Sequence, residues 1–336
     1  MRMSSRGSAK HDERDAEQSR PRCVLHIGSE KTGTTTIQHY LSRHRELLLT
    51  SGYWYPRSLA YEDGFVHRRL SDLGRDQKGS HAEETRDAFR QEYETAVGDG
   101  VKTAIISSEF LHSLIRTPKA VGAIRDFLTP YFESIRIVYY ARRQDELAAS
   151  MHSTAIRGGQ TTESALAMYD GKGHHYFDHL QVCDLWASAF GCENLVCRIF
   201  ERDKLVNADI VDDFASIAGF TPDTEREKIS SNESLPLETM RALMMFNGSR
   251  HRKNKEFRRV LIAKGRRRGG KRVPMMTKSE ASEFLDRFND SNARFFQKYV
   301  DPSLAKNFSR DFSRFPDEIP PVSAEELLEF MFGKDA

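Results

Sequence analysis

A chain of 336 residues, 38% hydrophobic and 30% charged, is long enough for a sizeable core and has the make-up of a globular protein. Its formal net charge of +2 names no partner, and no apolar run approaches the roughly 20 residues of a membrane helix. The four cysteines, Cys23, Cys183, Cys192 and Cys197, contain no Cys-x-x-Cys pair and follow no apolar leader, which argues against a disulfide framework and for a reducing, cytoplasmic setting.

Residues 1–20 mix charges with Ser, Gly and Ala and read as a disordered tail. Order is expected from Pro21, with residues 21–336 forming one α/β domain. Cys23–Gly28 reads as a buried strand, and a helix is expected over 34–51. Next come a helix over 83–98, a strand at Thr103–Ser107, a helix over 118–128 and a strand at Ile135–Tyr140. A helix over 144–157 is closed by Gly158 and Gly159. The expected elements after it are a helix over 175–190, a strand at Leu195–Phe200, and helices over 204–218, 236–248 and 278–299. Short apolar strands alternating with helices predict a parallel sheet flanked by helices, with residues 273–336 as a helical C-terminal part.

The first strand runs into Val24–Gln38, VLHIGSEKTGTTTIQ. A strand, a glycine-bearing polar turn and a helix start place backbone N–H groups and a positive helix end around one point, which suits a phosphate. Gly28 and Gly33 allow close backbone approach, Thr34, Thr35 and Thr36 offer hydroxyls, and Lys31 is a mobile cation. The spacing of the two glycines fits a nucleoside-triphosphatase loop, but Thr34 stands where that loop has lysine. The strand IVYYARR also ends in arginines rather than a magnesium-binding aspartate.

HIGSEKTGTTTIQ resembles the 5′-phosphosulfate loop of sulfotransferases that use 3′-phosphoadenosine 5′-phosphosulfate (PAPS), above all their bacterial branch. Gly52–Pro56, GYWYP, is similar to the same branch. The resemblance covers about residues 22–160 and implies a P-loop sulfotransferase fold, with Lys31, Thr32, Gly33, Thr34, Thr35 and Thr36 binding the cofactor. It further implies that an Arg after a strand and a Ser eight residues later hold the 3′-phosphate, a spacing that Arg142 and Ser150 have. Arg143 is the alternative ligand, or a partner of Asp145 or Glu146. The expected activity is sulfuryl transfer to a hydroxyl on a carbohydrate, lipid or small metabolite, with Lys31 neutralising the leaving phosphate and no metal required. Two other readings stand beside it: a P-loop kinase using Mg-ATP, and a non-catalytic module that binds polyanions.

Such a transfer asks for a base. The strand end ISSEFLH offers Glu109 first and His112 second. Cytosolic sulfotransferases have a His at this strand end, so Glu109 departs from their pattern and could equally serve as a structural ion-pair partner, for instance of Arg142. Lys264–Gly265–Arg266 is faintly similar to their late loop that closes over the cofactor.

From Arg250 to Arg272 the chain carries twelve Lys or Arg and one acidic residue, Glu256. This basic segment reads either as a site for an anionic acceptor or lipid headgroups, including peripheral membrane contact, or as a solvated helix and loop. No nucleic-acid partner is expected. His175, His179 and Cys183 would share one face of a helix over 175–190, where they could hold zinc or simply be surface and core residues. Residues 160–178 read as a plain connection or as a lid on the acceptor side.

Overall fold

The computed structural model of the chain describes residues 20–62, 64–169, 171, 174–223, 226 and 235–333. The expected tail thus lies, apart from Arg20, outside the described residues. The N-terminal part runs β1 (Arg22–Gly28), α1 (Thr34–Arg43), α2 (Arg45–Thr50), β2 (Tyr53–Trp54), α3 (Arg68–Arg75), α4 (Ser80–Gly98) and β3 (Thr103–Ser107). There follow α5 (Phe110–Leu114), α6 (Pro118–Leu128), β4 (Ile135–Ala141), α7 (Gln144–Gly158), α8 (Ala165–Tyr169), α9 (His174–Phe177), α10 (His179–Phe190) and β5 (Leu195–Ile199). The rest is helical: α11 (Ile210–Ala218), α12 (Leu237–Gly248), α13 (Lys255–Arg268), α14 (Lys278–Asp286), α15 (Asn289–Tyr299) and α16 (Ala324–Phe332).

The strands form one parallel sheet in the order β2-β3-β1-β4-β5, with Leu25 of β1 in register with Ile106 of β3 and Ile137 of β4. Alternate residues point to opposite faces. Leu25, Ile27, Ile106, Ile137 and Tyr139 meet α3, α4, α6, α10 and α15 in one core, built around Phe89, Trp186 and Phe295. Val24, Ile105, Val138 and Tyr140 meet α1, α2 and α11 in the other, around Ile37, Leu41 and Phe214. Both faces are therefore dry, which is why these strands read as unbroken apolar runs.

This is the expected α/β class, and the four expected strands are present to within a residue at either end. Several expected helices are interrupted where local chemistry ends one and starts another. The 34–51 helix breaks at His44, and the 175–190 helix breaks at Asp178, whose carboxylate caps α10 by accepting from Gln181 N–H. Asp209 caps α11 in the same way, so that helix starts at Ile210 rather than near 204. The 278–299 helix splits at Arg287 and Phe288. Elements without a sequence expectation are the two-residue edge strand β2, the short helices α3, α5 and α8, and the helices α13 and α16.

The C-terminal helices pack against α7. Ile156 of α7 joins a cluster with Leu243, Leu261 and Phe330, while Leu147 and Ala148 join another with Phe284, Phe288 and Phe315. Helix α13 approaches α12 closely at Gly265, where an added Cβ would overlap the Thr239 side chain, 2.8 Å from its Cβ. Gly265→Ala is expected to destabilise the protein by about 1–3 kcal/mol, the usual cost of overpacking. Gly122→Ala in α6, where a Cβ meets nothing within 4 Å, should instead stabilise by about 0.5–1 kcal/mol. Thermal melts of the two variants check the pair; equal shifts would contradict the close packing of α13.

Candidate functional site

The turn after β1 is shaped by backbone geometry. Gly28 has φ +109°, and a Cβ there would lie 3.3 Å from His112 Cβ and 3.4 Å from Glu109 Cα. The β3–α5 turn therefore presses directly on Gly28. Lys31 (φ 65°) and Gly33 (φ 77°) are both left-handed, and Gly33 opens α1 without a side-chain cap. Among the described residues the backbone N–H groups of Glu30, Lys31, Gly33, Thr34 and Thr35 donate to no backbone carbonyl. These donors, with the first turn of a ten-residue helix behind them, make the kind of N–H cluster that can hold an anion.

The threonines do not act alike. Thr32 is buried and its Oγ1 donates to the Ser29 carbonyl at 2.6 Å, so this hydroxyl braces the loop. Thr34 is buried, Thr35 is half-buried, and Thr36 lines a cleft of about 950 Å³ together with Lys31 and Gly33.

Arg142 and Ser150 line the same cleft from the other side of the sheet's centre. Arg142 follows β4, and its Nη1 donates to the Lys31 carbonyl at 2.8 Å, tying the end of β4 to the turn after β1. Its Nε donates to Glu146 at 3.2 Å, and its guanidinium lies 5.7 Å from the centre of the Phe200 ring. Ser150 stands two turns along α7, and Thr154 Oγ1 donates to its carbonyl at 3.2 Å. Arg143 is committed elsewhere: it is buried, forks onto Asp145 at 2.8 and 2.9 Å, and donates to the Ser309 and Asp311 carbonyls. Both arginines line the cleft, and among the described residues Arg142 is the one with a guanidinium nitrogen, Nη2, that makes no hydrogen bond.

Glu109 is not paired with Arg142. Its Oε2 accepts from Gln38 Nε2 at 2.7 Å, and its charged neighbours are Glu30 and Lys31. Burial raises its pKa above the ordinary 4.5, only partly offset by the Gln38 hydrogen bond. His112 is fully enclosed: Nε2 donates to the Tyr176 carbonyl at 3.1 Å, Nδ1 is buried without a partner, and burial pushes its pKa down to about 3. Lys31 is also held below its ordinary pKa, by burial first and then by Arg157 and Arg142, against Glu30 and Glu109.

Some expected groupings do not form. His175 and His179 fall on separate helices, α9 and α10. His179 accepts from the Tyr139 hydroxyl at Nδ1 and donates from Nε2 to the Arg142 carbonyl, both at 2.8 Å, while Cys183 faces Cys197 at 3.5 Å. Their face therefore positions Arg142 rather than gathering ligands. Lys264–Gly265–Arg266 lies inside α13, not in a loop over the cleft, and the Lys264 ammonium donates to the Gly333 carbonyl. The 160–178 connection contains α8 and α9, with Asp170, Lys172 and Gly173 outside the described residues.

The sequence reading missed Arg314, which lines the cleft and reaches Glu146 at 2.7 Å, so that one carboxylate sits between Arg142 and Arg314. Arg226 lines it too, held by Asp209 and Asp212 at 2.9 and 2.7 Å. Neither has a sequence pattern around it that could have flagged it.

No known family model matches the chain. It is 26% identical over 208 residues to an uncharacterized protein of Archaeoglobus fulgidus, a match covering 59% of this chain and 56% of that protein. The chain thus spans little more than half the length of this curated relative. Among solved structures it is similar to a sulfotransferase from Alicyclobacillus acidocaldarius, at 18% identity and a TM-score of 0.37 over 71% of this chain and 96% of that one. The sulfotransferase domain of the curacin biosynthetic pathway is 10% identical, with a TM-score of 0.36 over 80% and 98% of the two chains. That of a Synechococcus olefin synthase is 11% identical, with a TM-score of 0.33 over 83% and 98%. At the level of fold the chain is similar to these sulfotransferases, and the likeness extends no further than fold.

The raised pKa of Glu109 has a consequence for stability. Between 4.5 and the raised native value, the native state binds more protons than the unfolded chain, so stability falls as pH rises through that window. Glu109→Gln keeps an acceptor for Gln38 and removes this loss. The variant is expected to match the wild type in stability near pH 4 and exceed it at pH 8, as read from paired urea melts. A variant less stable at both pH values would mean that the carboxylate is needed as a charge partner.

Proposed function

We propose that this chain transfers a sulfuryl group from PAPS to an acceptor hydroxyl on a carbohydrate, lipid or small metabolite. One observation carries the reading: a single cleft is lined both by Lys31, Gly33 and Thr36 of the loop and by Arg142 and Ser150, which follow β4. Two anion-binding stations fit a nucleotide with phosphate at both ends of its adenosine. The loop N–H groups and Lys31 would take the 5′-phosphosulfate. Arg142 and the Ser150 hydroxyl, with Arg314 beside them, would take the 3′-phosphate.

PAPS supplies the activated sulfuryl group. The acceptor oxygen bonds to sulfur as the bond from sulfur to the 5′-phosphate oxygen breaks, and adenosine 3′,5′-bisphosphate leaves. Lys31 balances the charge gained by the bridging oxygen. Glu109 takes the acceptor proton, because its carboxylate is near Lys31 and has a raised pKa, a better match to a base than a buried imidazole near 3. The proposed setting is the cytoplasm, where PAPS is made; fractionation that finds the chain mainly outside the cell would refute it.

In calorimetry, adenosine 3′,5′-bisphosphate is expected to bind at least tenfold more tightly than ADP, and Arg142→Ala to abolish the difference. Equal affinities in the wild type would remove the second station. Once an acceptor is in hand, Lys31→Ala should lower kcat more than it weakens nucleotide binding. Glu109→Gln should lower kcat by about a hundredfold or more with PAPS affinity kept. Near-normal turnover of the Gln variant beside an inactive His112→Ala would transfer the role to His112. ATP turnover without bisphosphate release would favour a kinase.

A further inference from the structure

The basic segment forms α13, with Asn254 capping its start by accepting from Phe257 N–H at 3.0 Å. One face of this helix is spent on the core. Leu261 is buried, Phe257 packs on Phe246 with ring centres 5.1 Å apart, and Arg258 Nε donates to Asn247 Oδ1 at 3.2 Å. The opposite face carries Lys255, Arg259 and Arg266, all exposed and spaced by four and seven residues, so they form one stripe about 16 Å long. Among the described residues none of the three has a carboxylate within ion-pair reach, whereas Arg268 next to them pairs with Glu329 at 3.8 Å.

The stripe leads towards the cleft. Helix α13 abuts the C-terminal end of α7: a Cβ on Gly159 would lie 3.3 Å from Arg258 Nη2, and Asn247 donates to the Ile156 and Gln160 carbonyls at 2.8 Å each. That end of α7 carries Arg157, seven residues from Ser150 and on the same helix face. Arg157 is half-buried, and its Nη2 donates to Thr154 Oγ1 at 3.0 Å, with no carboxylate partner among the described residues. Arg157 thus stands on α7 between the packed α13 and the turn whose Ser150 lines the cleft, and it is an electrostatic neighbour of both Arg266 and Lys31.

We infer that the stripe Lys255–Arg259–Arg266 and Arg157 form a docking track for an acidic oligosaccharide, carrying carboxylate or sulfate groups, that presents a hydroxyl at Lys31. This rests on the proposed transferase reading and names its acceptor class. A membrane surface fits less well, because an interfacial helix needs a broad free apolar face, and of the large apolar residues of α13 Val260 alone is exposed while Phe257, Leu261 and Ile262 pack in the core. A nucleic acid fits less well too, since Phe257, the aromatic residue on α13, is half-buried against Phe246 and offers no stacking platform. Repeated anions on a hydroxyl-rich chain match both the spaced cations and the chemistry at the track's end.

Fluorescence anisotropy with a labelled heparin octasaccharide tests the inference on the full chain without cofactor. It should bind with a salt-dependent affinity, and a neutral dextran of equal length should not. Arg259→Gln, Arg266→Gln and Arg157→Gln should each weaken binding about fivefold and make the salt slope shallower by about one. The two α13 variants should keep wild-type affinity for adenosine 3′,5′-bisphosphate, which also shows that they are folded. Unchanged octasaccharide affinity in Arg259→Gln/Arg266→Gln overturns the track. So does tighter binding, at equal charge, to a Glu- and Tyr-rich peptide or to vesicles containing phosphatidylserine. Octasaccharide binding without any bisphosphate binding by the wild type would overturn the transferase reading and leave the track as a polyanion site.

Discussion

The hydrogen bond from Arg142 to the Lys31 carbonyl spans the centre of the sheet. Strands β1 and β4 are neighbours, yet the chain leaves β1 towards β3 and β2 and leaves β4 towards β5. At such a reversal the two outgoing loops separate and open a crevice at the carboxyl ends of the strands. Arg142 fastens one rim of that crevice to the other at 2.8 Å. Its own backbone is fixed from behind, because His179 donates to its carbonyl and is in turn set in that tautomer by the Tyr139 hydroxyl. The left-handed conformation of Lys31, costly for a residue with a side chain, is the shape that turns its carbonyl to Arg142.

Helix α7 extends this arrangement to the rest of the chain. Its buried residues divide between two C-terminal clusters, Leu147 and Ala148 on one and Ile156 on the other. Its remaining face carries Ser150, which lines the cleft, with Thr154 and Arg157 in the following turns. The C-terminal helices thus hold in place the element that brings Glu146 and Ser150 to the cleft. The loop 309–315 completes the wall: its carbonyls at Ser309 and Asp311 bind Arg143, and its Arg314 reaches Glu146.

What could be read from the sequence was local. Each of the four longer strands is an apolar run of five to seven residues bounded by turns, and the phosphate loop is contiguous, so both declare themselves in short windows. Strand β2 has two residues, too few to show any period, although Tyr53–Trp54 lies within a stretch whose likeness was noted. Helix ends set by a single side chain, as at Asp178 and Asp209, were hidden because a cap is decided by one residue against a continuing apolar pattern. Arg314 and Arg226 were out of reach for another reason. They join the cleft from segments more than 80 residues beyond Arg142, and only tertiary packing brings them there. The threonine cluster shows the converse limit: composition pointed to several hydroxyls, while the fold turns Thr32 inward to brace the loop.

The cleft carries more cation than its own carboxylates balance. Seven Lys and Arg line it against five carboxylates, and Glu146 is shared among Arg142, Arg143 and Arg314. Partly desolvated like charges disfavour the folded state, which is why Lys31 and Arg157 are both held below their ordinary pKa, by burial first and by neighbouring cations next. A protein selected for stability alone would have no use for this concentration, since well-packed apolar residues would serve better. On the proposed reading this strain would be relieved by the anionic nucleotide, each cation gaining a charge-assisted hydrogen bond. Glu146, poised between two arginines, holds the station in the meantime, and its pKa stays below the ordinary value because Arg142 and Arg314 outweigh its burial. The proposed function thus gives the excess of positive charge a role, preorganisation for anionic ligands, that folding alone does not supply.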